Sequence, residues 1–510
     1  MKRTLLIVTC VAATLASVIL SCTHKPYLAP ASGNFPPDVA SIIVGKCAIS
    51  GCHNAASYQN ANGLLMDTWE HLMNGGNAGA EVIAYSPKFS PLLYFVNTDS
   101  TLGTVATPSM PLSTTTLPQS PLTRAEYLTL YNWIAAGAPD KDGNIPFADN
   151  PDTRQKIYLT QQGCDLMAVI DAQKYVVMRY IPIGTDSANI ESPHCTRVSS
   201  DGAYAYVSFL AGQYVQKIDT RTDKIIAAAD VGSLLPGGAG GSWNILYVAP
   251  GDSMLEVTDW ESNGIATTIA TNAMQILLNK TISSSGLLVY PHGITSDAAF
   301  DTLYITAQYG NTIYKIPTSK LLPKMVSLNG KPAQTTNNND ITSPNPHEIL
   351  MAPDYSKYFV TCQTTNEVRV LDAHTNVVLD SIPVGTFPQE MAISHTQPYL
   401  FVTCMEDAAT TYPGGHGSVY VINYNTNQIV QKIYGDFYQP HGVCVDDRNG
   451  KVYIASTNAN PSGPAPHHAT YCGGRAGWYS VYDLNSLQPV NNRRYEVTVM
   501  PYSAATRFAQ

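Results

Sequence analysis

The stretch that decides the fold is Asn345-Pro-His-Glu-Ile-Leu-Met-Ala-Pro-Asp354, followed by Tyr358-Phe-Val-Thr-Cys362, Val368-Arg-Val-Leu-Asp372 and Ile382-Pro-Val-Gly385. Most of these runs are short, rich in β-branched or aromatic residues, and bounded by Pro, Gly, Asn or Asp, which is the chemistry of strands and turns. The order recurs along the chain. Its first run returns as Ser192-Pro-His-Cys195, Tyr290-Pro-His-Gly293, Phe387-Pro-Gln-Glu390 and Gln439-Pro-His-Gly442. Its second returns as Tyr206-Val-Ser208, Tyr304-Ile-Thr306, Tyr399-Leu-Phe-Val-Thr-Cys404 and Val452-Tyr-Ile-Ala-Ser456. His292 and His347 lie 55 residues apart, His347 and Gln389 42, and Gln389 and His441 52. His194 to His292 is 98 residues, two repeats, with Trp243 in the divergent one between them. Four strands per roughly 40–50 residues is a propeller blade.

Six repeats are complete. Three further strands span Ile157 to Gly184, and Val497 to Phe508 can supply their missing first strand. That closes the ring and removes the open edge. Residues 154–510 are therefore expected to form an all-β seven-bladed propeller, joined through a linker at 148–153 to a unit spanning 35–147. The repeats resemble the YVTN class of propellers, named for the strand written here as Phe-Val-Thr-Cys. The resemblance implies a fold and leaves function open.

The unit at 35–147 has a helical texture. Pro37-Asp38 opens a stretch with Val39, Ile42, Ile43 and Val44 on one side, which leads into Cys47-Ala-Ile-Ser-Gly-Cys52-His53. Thr123 to Glu126 reads as a capping box. Tyr127, Leu130, Tyr131 and Ile134 then follow the helical period, and Gly137 is placed to end the helix. Two cysteines with a histidine directly after the second form the attachment pattern of a c-type haem. Two thiols add to the vinyl groups, and the adjacent imidazole becomes an axial ligand. The usual spacing has two residues between the cysteines; here there are four. The same pair could close a disulfide, or hold zinc if two more ligands were near, but His71 is the only further His or Cys in this unit.

With Ser109-Met110-Pro111 and Trp133-Ile-Ala-Ala-Gly-Ala138, the unit resembles the single-haem cytochrome c modules of large bacterial proteins. The resemblance implies a small all-α domain with one covalent haem c. Cys47 and Cys52 would be its thioether attachments, and His53 and Met110 its axial ligands. A His/Met pair leaves no open iron position, so the group implied is an electron carrier.

Lys2 and Arg3 precede an apolar run from Leu5 to Leu20, which ends in Ile19-Leu-Ser-Cys22. The run of roughly 16 residues is short of the about 20 that span a bilayer, and it reads as an export signal. Its end resembles a bacterial lipobox. The implied organisation is a signal peptide at 1–21 and a tether at 22–34 lipidated at Cys22, with the protein expected in the cell envelope, at the outer membrane. Composition agrees with export. Charged residues make up only 13% of the chain, and 29 Lys+Arg against 38 Asp+Glu give a net charge of −9. No basic surplus is present to displace counterions, so a nucleic-acid partner is excluded.

The repeated Pro-His motif sits where each innermost strand begins. It should bring His194, His292, His347 and His441, with Gln389, to one mouth of the channel. Cys362 and Cys404 end neighbouring second strands and should face the same side. The imidazoles could bind copper, zinc or a small anion, or each could simply hydrogen-bond the backbone of its neighbour. Cys164 and Cys472 meet at ring closure and are the best disulfide pair; Cys444, inside a strand, reads as a buried small residue. Three functions follow. The chain is an electron-transfer lipoprotein whose propeller docks a redox partner or an outer-membrane complex, or an oxidoreductase with its site in the propeller and the haem as relay, or an outer-membrane binding module.

Overall fold

A computed structural model describes residues 32–149, 152–235, 241–261, 264–280, 288–318, 323–336, 342–408, 414–457 and 477–508. The expected export signal and Cys22 lie outside these residues, as does the stretch 458–476, which the sequence reads as a loop inserted in the last blade and which holds His467, His468 and Cys472. Among the described residues no helix is long and apolar enough to cross a membrane.

Seven four-stranded antiparallel sheets form the propeller. Their innermost strands are Pro501–Thr506 in blade 1, then Pro193–Val198, Trp243–Val248, Pro291–Ser296, Pro346–Met351, Pro388–Ile393 and Pro440–Asp446 in blades 2 to 7. Blade 1 is closed by both ends of the repeat region, because Pro501–Thr506 pairs with Lys156–Gln161. The sequence placed this closing strand correctly.

Six inner strands begin the same way. The residue before the proline takes a left-handed φ, from 47° at Tyr290 and Gln439 to 59° at Phe387, with Ser192, Asn345 and Met500 between. This reverses the chain into the channel, and proline then fixes the following φ. Gly417 and Gly477 lie against the rings of Pro440 and Pro501, where a Cβ would sit 2.0 Å and 2.2 Å from a proline Cδ. In blade 3 the fully buried Trp243 fills the proline's place.

Each inner strand then carries a bulge, faced by a hydroxyl of the second strand in every blade but the seventh, where Ala455 stands. Thr361 Oγ1 accepts from Glu348 N at 2.9 Å and donates to Gln389 O of the next blade at 2.9 Å. Thr306 links Gly293 N to His347 O, and Thr403 links Glu390 N to His441 O. Ser208 and Thr258 donate to Asn244 O and His292 O in the same way. The hydroxyl in the Phe-Val-Thr strand is therefore a staple between blades, a role sequence reasoning missed.

The N-terminal unit holds four short α-helices: α1 (Pro37–Ile42), α2 (Trp69–Met73), α3 (Pro91–Val96) and α4 (Arg124–Ala135). The expectation of an all-α domain is not met, because most of the unit is loop. Pro87, Pro108, Pro111, Pro118 and Pro121 interrupt helix formation between these elements. Its core joins Phe35, Ile42, Leu72, Leu92, Leu130 and Trp133. The Thr123–Glu126 capping box forms as read. Tyr131, expected on the buried face, is exposed; Trp133 takes that place and donates through Nε1 to Pro139 O at 2.8 Å.

The two units are not merely linked but packed together. Arg494 N donates to Asn77 O at 3.1 Å and Glu496 N to Ala78 O at 2.9 Å, so the loop at 77–78 is hydrogen-bonded to the edge of blade 7. Ala80 and Ile83 enter the core made by Ile157, Leu159, Tyr479 and Tyr495, across the seam of blades 7 and 1. Phe89 packs against Tyr180, with ring centroids 5.2 Å apart and planes tilted by 56°.

Candidate functional site

The chain turns after α1 through a π-helical segment, Ile43–Cys47, and folds back so that His53 N donates to Cys47 O at 3.1 Å. Met66 N donates to His53 O at 2.9 Å, pinning the histidine from the other side. The imidazole is fixed too: Nδ1 lies 3.0 Å from Leu64 O. Donation from Nδ1 leaves Nε2 with its lone pair, the arrangement in which a histidine ligates metal. Burial lowers the pKa of His53 and so favours the neutral ring.

Met110 arrives from a loop held against α3, where Met110 N donates to Phe95 O at 2.6 Å. Cys47, Cys52, His53 and Met110 line one cavity of about 380 Å³. Leu64, Leu92, Phe95, Val96 and Leu112 supply much of its apolar wall. Cys47 and Cys52 are free thiols, so the disulfide alternative is not formed. Burial, with Cys52 nearby, pushes the Cys47 thiol up to about 12. Two lining residues escaped the sequence reading: Met66, a second thioether, and Glu81, a buried acid. A second cavity of about 310 Å³ shares Asn62, Glu81 and Phe95 with the first and is bounded by Glu496 of blade 7.

In the propeller, the four predicted histidines do converge. Ring centroids run from His194 to His292 at 6.2 Å, His347 at 4.0 Å and His441 at 6.1 Å, in steps around the axis. Tyr502 closes the circle, 3.7 Å from His441 and 4.5 Å from His194. All four histidines are buried, so they plug the channel and do not line an open mouth. Backbone satisfaction explains part of the motif. His292 Nδ1 lies 3.3 Å from His347 O, and His441 Nδ1 lies 3.2 Å from Tyr502 O. His194 Nδ1 pairs with Gln162 Nε2 at 2.9 Å.

The position after the histidine adds acids that the sequence reading did not single out. Glu348 and Glu390 are buried, and Arg197 lies 4.0 Å from Glu390. Burial and the neighbouring Glu390 push Glu348 up to about 8. Cys362 and Cys404 belong to the blade cores and not to this ring, and burial raises both thiols. The expected thiolate contribution is therefore overturned. Cys444 is free and buried as read, and Cys164 is disulfide-bonded.

No protein-family model and no curated protein matches the chain. Among solved structures, it is similar to hydrazine synthase of Kuenenia stuttgartiensis, with 15% identity, a TM-score of 0.43, and 60% of this chain and 79% of that one covered. A streptogramin B lyase gives 12% identity and a TM-score of 0.46, over 69% of this chain and 91% of that one. A protein of unknown function from Desulfotomaculum acetoxidans gives 13% and 0.46, over 68% and 99%.

Proposed function

We propose that the chain is an exported, lipid-anchored c-type haem protein of electron transfer, with a propeller that docks its partner. One observation carries this reading: the Cys47–His53 segment and Met110, far apart in sequence, line a single apolar cavity. The donor set fits the group, with two free thiols, an imidazole whose Nε2 is left to ligate, and a thioether. Haem c bound there would supply one-electron chemistry at a potential raised by His/Met ligation. The protein's own part is to hold and to exclude. Cys47 and Cys52 would anchor the group, Leu64 O would orient His53, and the apolar wall would keep water out. The exposed Ile225, Ile226, Val378, Leu379, Ile429 and Val430, all on outer strands of blades, offer the propeller apolar contact surface.

The test is full-length protein co-expressed with a c-type haem maturation system. One haem per chain should survive denaturation, and Cys47→Ala with Cys52→Ala should release it. Met110→His should lower the reduction potential, while Met66→Leu should leave it near the wild-type value. A wild-type protein without covalent haem would overturn the reading.

A further inference from the structure

We propose that the propeller channel holds a divalent transition-metal site built from His292, His347 and Glu348. The ligand atoms of these three residues lie within 4.8 Å of one another, and all three are buried. A histidine pair and a carboxylate are the donor set of open zinc sites, and first-row metals bind such nitrogen and oxygen donors readily.

A ring of histidines is not by itself a site, since the other members are committed to neighbours as described above. His347 is held more loosely: its Nδ1 makes no hydrogen bond of ordinary length, although the Gln389 backbone lies near it. Glu348 likewise makes none at Oε2, although Oε1 accepts from Ile349 N at 3.3 Å. The bond from His292 Nδ1 to His347 O leaves His292 Nε2 for a ligand. Two adjacent residues on one inner strand thus keep buried donor atoms unused, next to an oriented imidazole on the strand before. Buried polar atoms are ordinarily satisfied, and those left over ask for a partner the protein chain does not supply.

Charge points to a cation. Arg197 lies 4.0 Å from Glu390 and acts on Glu348 at longer range, so one arginine faces two buried acids. A metal ion bound there would take the place of the proton that burial otherwise holds on Glu348. The site does not depend on the haem cavity, so either reading can fail without the other.

The experiment is calorimetric titration of chelator-treated, haem-loaded full-length protein with Zn(II), paired with thermal unfolding. Wild type should take up one zinc per chain with a raised midpoint. Glu348→Gln and His347→Gln should each weaken binding at least tenfold and abolish the rise. His416→Ala should change neither, because His416 and Glu406 form a partly exposed pair elsewhere. Glu348→Gln is nearly isosteric and carries the test if His347→Gln folds poorly. No uptake by wild type, or uptake unaffected by Glu348→Gln, would overturn the proposal.

Discussion

Asp165 shows what a single side chain contributes at the edge of a blade. It sits at a left-handed φ of 46° and accepts from Glu191 N at 2.8 Å and Ser192 N at 2.9 Å. Burial nevertheless raises its pKa to about 6, with the charges of Glu191 and Asp186 adding to the effect. The folded chain therefore holds a proton that the unfolded chain has lost, between about pH 4 and 6. Stability contributed by this group falls as pH rises through that window. Asn tolerates the backbone but accepts at only one atom, so Asp165→Asn loses a hydrogen bond at every pH and escapes the ionisation cost. The midpoint of the variant, relative to wild type, should be lowest near pH 4 and should improve to a plateau above pH 6, read by thermal melts across that range. At this scale the sequence was partly legible. His53 and Met110 were marked by their neighbours, whereas Glu348 and Met66 stand beside marked residues, with nothing in their spacing to separate them from packing.

The blade is the element that the sequence describes best, and the reason is physical. Turn prolines and alternating apolar strands must recur wherever the same sheet is built, so the start of four inner strands could be read from Pro-His and of a fifth from Pro388-Gln389. What could not be read is how one blade holds the next. Threonine in a strand is ordinary, and only the bulge in the inner strand gives its hydroxyl two backbone partners. Thr361→Val keeps the shape while stranding Glu348 N and Gln389 O in a buried place. It should cost about 1–3 kcal/mol in urea unfolding, the range for an unsatisfied buried group. Thr365→Val provides the contrast. Its hydroxyl donates to Glu367 Oε1 in a part-buried turn and holds no two strands together, so the loss should be smaller. Divergent blade 3 escaped a clean reading because Trp243 replaces the proline cue while keeping the strand.

For the whole molecule, the finding without a sequence signal is the docking of the N-terminal unit. Residues 74–83 carry no periodicity, yet Ala80 and Ile83 cover the join between the last blade and the first. Replacing Ile83 by Ala should loosen that join. Hydrogen exchange in Pro501–Thr506 should quicken more than in Pro346–Met351, which lies in blade 5 away from this contact. Equal change in both strands would mean that the N-terminal unit does not support ring closure.

Blade 1 also dictates an order of events in the cell. Its inner strand is the last part of the propeller to leave the ribosome, while its other three strands are among the first. Until Pro501–Thr506 arrives, Lys156–Gln161 presents an unpaired edge, as does the far end of the array. A nascent chain must therefore wait as an open arc, exposed to self-association. A chain cut before Pro501 would remain in that unfinished state, and proteases would meet it as an incompletely folded substrate.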